Sequence, residues 1–462
     1  MMKSFKTALL TVLILIPAAA LAGGYQLPEY KTTTLDNGLT IILMEQDEVP
    51  LIDVRVIIGG GAMADGDLSG LAGLTAESLL FGAGNLSKQE LDQKFDFIGA
   101  QVRSTAGREF NQLRCSFAKR DQDTMLPVLR DLLLKPTFNE EEFSKYQRRQ
   151  VAQLAQQKES PRAVINNYFH KLILDDHPYA VVPSGDAISV KKATRDDLVS
   201  YHKNWYQPQN TIICVVGDFK TSDMGKDLKN LFGNWQRGEA TAPTATPLPV
   251  PTKARVLLVD KPDAGESTFY IGGLGISATN EDRVGLQVIN TILGGRFTSW
   301  LNDELRVNAG LTYGARSSFS SYGQGGLFRI STFTRTPTTV EAIDLALKTY
   351  DRLWDKGIDE ETLASAKAYV KGQFPPRYET SGQLAGLLGQ MEFYGYNESF
   401  INNFEANVND LTVDETKRLI STYFPHENLQ MVIIGKADDI REQVQQYGEV
   451  SEVGIQQNGF AF

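Results

Sequence analysis

The residues able to do hydrolytic or metal chemistry are few, and their spacing excludes most of it. The histidines are His170, His177, His202 and His426. None lies three or four residues from another, so no helical pair exists to grip zinc. No Gly-x-Ser-x-Gly turn offers a serine nucleophile. Gly272-Gly273-Leu274-Gly275 lacks the Lys-Ser/Thr pair and following helix of a phosphate loop. Glu77, inside the stretch from Gly70 to Gly82, is a single carboxylate. Arg306 and Tyr313 form a second constellation, seven positions apart through Ala309-Gly310-Leu311-Thr312, whose spacing alone assigns it no role. Arginine is a permanent cation with several donors, and a tyrosine hydroxyl can donate to a forming oxyanion. The plainer alternatives are that Arg306 caps a helix end or pairs with Glu304, and that Tyr313 is a half-buried strand residue.

The elements that must position these residues follow from periodicity. Leu71, Leu74, Ser78 and Phe81 share one face of a helix that Gly82-Ala83-Gly84 ends. Before it come an Asn37-Gly38 hairpin signal and an apolar strand from Leu51 to Ile58, ending in Gly59-Gly60-Gly61. After it, Ser87 and Glu90 form a capping box for a helix that Gly99 stops. Two antiparallel strands span 101–119 around Gly107-Arg108. Helices follow at 124–134 and 140–158, then a buried strand at 210–217. The cysteines, Cys115 and Cys214, lie in strand-like runs. An oxidising compartment permits a disulfide between them, while strict pairing geometry favours two buried thiols.

Residues 236–253 are rich in Pro, Thr and Ala and read as a linker. Beyond it the pattern restarts, with strands at 255–260 and 268–275, helices at 283–293 and 359–370, and a closing strand at 430–435. The two halves read as a repeat. Thr194, Tyr206-Gln207-Pro208-Gln209-Asn210 and Gly217 are echoed by Thr412, Tyr423-Phe424-Pro425-His426-Glu427-Asn428 and Gly435, and the Asn-to-Gly spacing is the same in both. The expected organisation is a domain over 25–235, the linker 236–253, a second domain over 254–440 and a tail over 441–462.

The amino terminus differs from the rest. Lys3 and Lys6 precede an apolar run, and Ala20-Leu21-Ala22 closes it, so residues 1–22 read as a secretory signal peptide. The run is shorter than the ~18–20 residues a span needs, and no stable membrane insertion is expected. The protein is placed in the periplasm or outside the cell. Loss of 1–22 removes two lysines and no acid, taking the net charge from −10 to −12. So acidic a chain is a poor partner for nucleic acid.

In this setting the 70–82 stretch resembles the zinc helix of the insulinase/pitrilysin metallopeptidases, most closely the mitochondrial processing peptidase branch. Gly70-Leu71-Ala72 and Gly82-Ala83 match the flanks of the family's His-x-x-Glu-His. The functional positions then fall on Gly73, Ala76 and Glu77, and the third ligand position, in a long helix, falls on Gln153. Glycine and alanine offer no ligand or base, and one carboxylate does not hold zinc. The resemblance therefore implies a degenerate zinc motif, no bound cofactor and no catalytic residue.

The resemblance also implies the fold: α+β, two homologous α/β-sandwich domains, each a mixed sheet with helices, forming a clamshell. The segment from Leu293 to Tyr313 is similar to the family's C-domain signature, whose Arg and Tyr reach toward an opposing zinc face. Arg306 and Tyr313 are the implied substrate-binding residues. The resulting expectation is a non-catalytic subunit of a heterodimeric peptidase that serves a zinc-bearing partner and a peptide substrate. The alternative is a peptide-binding pseudoenzyme acting without a peptidase partner.

Overall fold

Alternating apolar residues build two six-stranded mixed sheets in the computed structural model, which describes residues 24–239 and 246–462. The signal-like segment 1–22 and linker residues 240–245 lie outside the described residues. The first sheet comprises β1 (Lys31–Thr34), β2 (Thr40–Glu45), β3 (Leu51–Gly59), β4 (Gln101–Ala106), β5 (Phe110–Ala118) and β6 (Thr211–Gly217), in the order β1-β2-β6-β3-β5-β4. The second comprises β7 (Arg255–Asp260), β8 (Glu266–Gly275), β9 (Arg316–Tyr322), β10 (Gly325–Arg335), β11 (Gln430–Gly435) and β12 (Glu449–Gly454), in the order β12-β7-β11-β8-β10-β9.

Five strands of one sheet correspond in order to five of the other. In each, the strand that closes the half (β6, β11) runs parallel to the first long strand and antiparallel to the second. The echoed residues do equivalent work. Thr194 and Thr412 each cap a helix by accepting a backbone N–H, from Asp197 and Glu415. The outermost strand differs: β1 is antiparallel to its neighbour, and β12 is parallel. Because β12 joins the sheet, residues 441–462, expected to be a tail, instead extend the second domain through Gly454.

Four helices hold the two halves and the candidate sites in place: α1 (Leu71–Ser78), α2 (Glu140–Gln157), α3 (Pro161–Leu174) and α4 (Ser381–Tyr394). α1 is shorter than the expected 70–82 helix, because Gly82–Ala83 turns into a two-stranded ribbon with Leu86–Ser87. One face of each sheet packs on helices of its own half. The other face is covered by a helix from the opposite half. α4 lies on β3 and β6, and α3 lies on β8 and β11. The sequence boundary at 235 therefore does not separate the packing, since Val164, Ile165, Phe169 and Leu172 of α3 share a core with Leu257, Val432 and Ile434. Gly389 lets α4 approach closely, as a Cβ there would stand 2.6 Å from Ile57 Cδ1. Each buried leucine or methionine of α4 contributes about 1.5–3 kcal/mol, so the exchanged helices fasten the halves into one unit.

The sheet register settles the cysteines. Val54 of β3 faces Cys115, and the next residue, Arg55, faces Cys214. Successive strand residues point to opposite faces. The two thiols therefore lie on opposite sides of one sheet, free and buried.

Candidate functional site

The region matching the degenerate zinc motif is held by packing and hydrogen bonds rather than arranged to receive an ion. Asp65 accepts the N–H groups of Gly70 and Ala72, both at 2.7 Å, and so fixes the start of α1. Burial pushes the Asp65 carboxyl up to about 7 despite those bonds. The loop carrying Pro183, Ser184 and Gly185 lies against the same end of the helix. Gly70 adopts φ +94°, and a Cβ on it would meet Gly185 Cα at 2.7 Å. A Cβ on Gly73 would stand 2.8 Å from the Pro183 carbonyl oxygen.

The other positions fit no better. Ala76 is wholly buried. Glu77 is half-buried, and burial raises its carboxyl above the usual range, opposed first by the charge of Arg149 and then by Lys88 and Arg103. Arg149 comes from α2, where its guanidinium lies 5.3 Å from the Tyr146 ring. Gln153, one turn on, is exposed. A divalent ion beside Glu77 would meet a guanidinium instead of the missing donors. Among the described residues, no group of three or more His, Cys, Asp or Glu comes together to hold a metal. The residues present do not fit zinc.

The second constellation is assembled quite differently. After the helix Arg283–Asn290, the chain widens into a π-helical turn at Thr291–Gly295 and another at Asp303–Asn308. Such turns are rare and cluster at functional sites. Arg306 sits on the second turn. Gly310 then takes φ +63°, a conformation that suits glycine, and reverses the chain toward Tyr313. Among the described residues, Arg306 neither pairs with Glu304 nor caps a helix. Its guanidinium lies 4.7 Å from the Phe297 ring, a cation–π contact that orients the group while leaving its N–H fork free. Tyr313 is not half-buried but 83% exposed, supported on one side by the Phe333 ring at 6.4 Å.

Arg306 and Tyr313 line one groove of about 500 Å³. It continues past Tyr313 and Phe333 into a second of about 380 Å³. No residue of α1 or α2 lines either groove. The structure thus brings Arg306 and Tyr313 together and keeps Gly73, Ala76, Glu77 and Gln153 away from them.

Sequence periodicity does not reveal the seam between the halves. Glu109, buried in the turn between β4 and β5, accepts the hydroxyls of Tyr179 and Tyr394 and the N–H of Gly323. Beside it, His170 of α3 donates from Nδ1 to the Asn166 carbonyl at 2.8 Å. That leaves Nε2 to accept the Tyr322 hydroxyl at 3.0 Å. Burial and the nearby Arg108 push His170 down to about 3. The partners lie 285 residues apart for Glu109 and Tyr394, which no local pattern can show.

Comparison with known proteins agrees with this architecture. A family model described as "Peptidase M16 inactive domain" matches residues 192–370, and one described as "Insulinase (Peptidase family M16)" matches residues 41–181. The chain is 23% identical over 402 residues to an uncharacterized zinc protease, YmxG, of Bacillus subtilis, covering 86% of this chain and 96% of that one. It is 24% identical over 383 residues to the non-peptidase homolog YmxG of Helicobacter pylori, covering 81% and 87%. The crystal structure of a peptidase M16 inactive domain from Pseudomonas fluorescens superimposes with a TM-score of 0.83 at 25% identity, covering 88% of this chain and 98% of that one.

Proposed function

This chain belongs to the insulinase (M16) family of peptidases as a non-catalytic member, and we propose that it is the zinc-less subunit of an exported two-subunit peptidase. Its task is to present Arg306 and Tyr313 to the active site of a zinc-bearing partner of the same family. The observation that carries this reading is the exposure of Tyr313, at 83%, in a groove to which α1 and α2 contribute nothing. A large aromatic side chain left in water gains nothing for folding. Its hydroxyl is free to donate to a carbonyl oxygen as charge develops there. The Arg306 fork is suited to the backbone carbonyls of an extended peptide. Among the described residues, no helix is long and apolar enough to cross a membrane.

The test is to purify the chain with and without a zinc-bearing subunit encoded beside it, then size the product and count zinc. A stable pair holding its zinc on the partner alone supports the reading. Two separate species, with peptide bound by this chain unaided, would favour a peptide-binding protein acting alone.

A further inference from the structure

We propose that the groove around Arg306 and Tyr313 selects peptides carrying acidic side chains. This names a substrate class for the site and rests on its role as a peptide-binding groove. Four arginines face the groove, Arg162, Arg306, Arg316 and Arg335, and the one carboxylate among the lining residues is Glu266.

The register explains how they converge. Arg316 of β9 lies opposite Ser331 of β10, and Arg335 of β10 lies opposite Glu266 of β8. Ser331, Phe333 and Arg335 alternate onto one face of β10. Arg162, at the start of α3, reaches over that face with its guanidinium 3.4 Å from the Phe333 ring. It also pairs with Glu266 at 3.2 Å. The single acid of the groove is thereby taken. Among the described residues, Arg306, Arg316 and Arg335 make no ion pair.

This arrangement runs against the composition of the chain. Acids outnumber bases, 56 to 46, so a chance groove would be neutral or acidic. A carboxylate entering here meets forked donors that need no rearrangement to bind it. A basic peptide would leave those three guanidiniums facing like charge.

The probes are three rhodamine-labelled peptides of one length, differing only in three positions that are all Glu, all Gln or all Lys. Binding to the full chain is read by anisotropy at low and at high salt. The Glu peptide should bind about tenfold more tightly than the Gln peptide at low salt, since each exposed pair contributes up to a few-fold. Most of that difference should vanish at high salt. Arg316→Glu with Arg335→Glu should abolish or reverse the preference, and Arg316→Gln with Arg335→Gln should remove it, with melting temperature unchanged in both. Equal binding of the Glu and Gln peptides, tighter binding of the Lys peptide, no measurable binding, or a preference that survives both double variants would overturn the proposal.

The two readings fail separately. If the chain prefers the Glu peptide but turnover of the complex ignores Arg306→Ala, the subunit role falls and the acidic preference stands. If turnover needs Arg306 but the complex cleaves Glu and Gln peptides alike, the subunit role stands and the acidic preference falls.

Discussion

In the first half of this chain the positions that match the zinc motif are mostly packed over, whereas in the second half Arg306 and Tyr313 line an open groove. Around α1, three of the four matching positions are hemmed in: Gly73 faces the Pro183 carbonyl, Ala76 has no exposed surface, and half-buried Glu77 lies in the field of Arg149, while Gln153 alone is exposed. Around the π-helical turn at Asp303–Asn308, the side chains stand in solvent, with Phe297 66% and Tyr313 83% exposed. Two halves of one topology have thus diverged in what they use their helix-adjacent segments for. Packing has taken over one, and binding is the use that suits the other.

The largest expected effect breaks the comparison at α1. Replacing Ala76 by Glu puts an ionisable group where nothing is exposed, and an unpaired buried charge costs several kcal/mol. Gly73→His must push the 183–185 loop aside, at about 1–3 kcal/mol for overpacking. The quadruple variant Gly73→His, Ala76→Glu, Glu77→His, Gln153→Glu should therefore melt much lower and hold no stoichiometric zinc. A folded variant with one zinc per chain would show that the site is merely emptied, not filled.

Acid should sharpen the contrast next, because the packed regions hold buried neutral histidines. Burial depresses His170 of α3 to about 3 and His202, in the helix Arg195–Trp205 that packs on α1, to about 4. Both titrate near 6.5 when unfolded. Their stabilisation is full above pH 6.5 and is lost as pH falls toward the folded values. By pH 5 each should cost about 2 kcal/mol, from a 1.5-unit interval at 1.36 kcal/mol per unit. Denaturant titrations at pH 7 and 5, with His170→Gln and His202→Gln, check this. The variants should flatten the pH dependence, and an unchanged slope would assign it elsewhere.

The smallest effect on stability belongs to the open side. Arg306→Ala and Tyr313→Phe should change stability by less than about 0.5 kcal/mol, as surface substitutions do. A larger drop in melting temperature would mean these side chains serve the fold after all.

Much of this was legible in the sequence, and the limits are physical. Periodicity and capping gave the strands and the helix opened by Ser87 and Glu90. The echo of Thr194 and Asn210 in Thr412 and Asn428 gave the duplication. The empty zinc motif was legible as Gly73 and Ala76, but not its filling, which depends on the contact between α1 and the 183–185 loop. The exchange of α3 and α4 was invisible, because an amphipathic helix does not say which sheet it covers. β12 reads as a tail because four of its six residues are exposed, as suits an edge strand. Arg162 and Arg316 are 154 residues apart in sequence, and only the packing of α3 on the second sheet brings them to one groove.

The central claim is tested most directly by the turnover of a reconstituted pair of this chain and its zinc-bearing partner on a peptide, with Tyr313→Phe against the unaltered chain. Loss of one oxyanion donor costs on the order of 10²–10³ in rate in well-studied enzymes. We expect a smaller but clear fall in kcat, at least about tenfold, with the size and melting temperature of the pair unchanged. Unchanged kcat in an intact pair would contradict the account and leave this subunit as a scaffold.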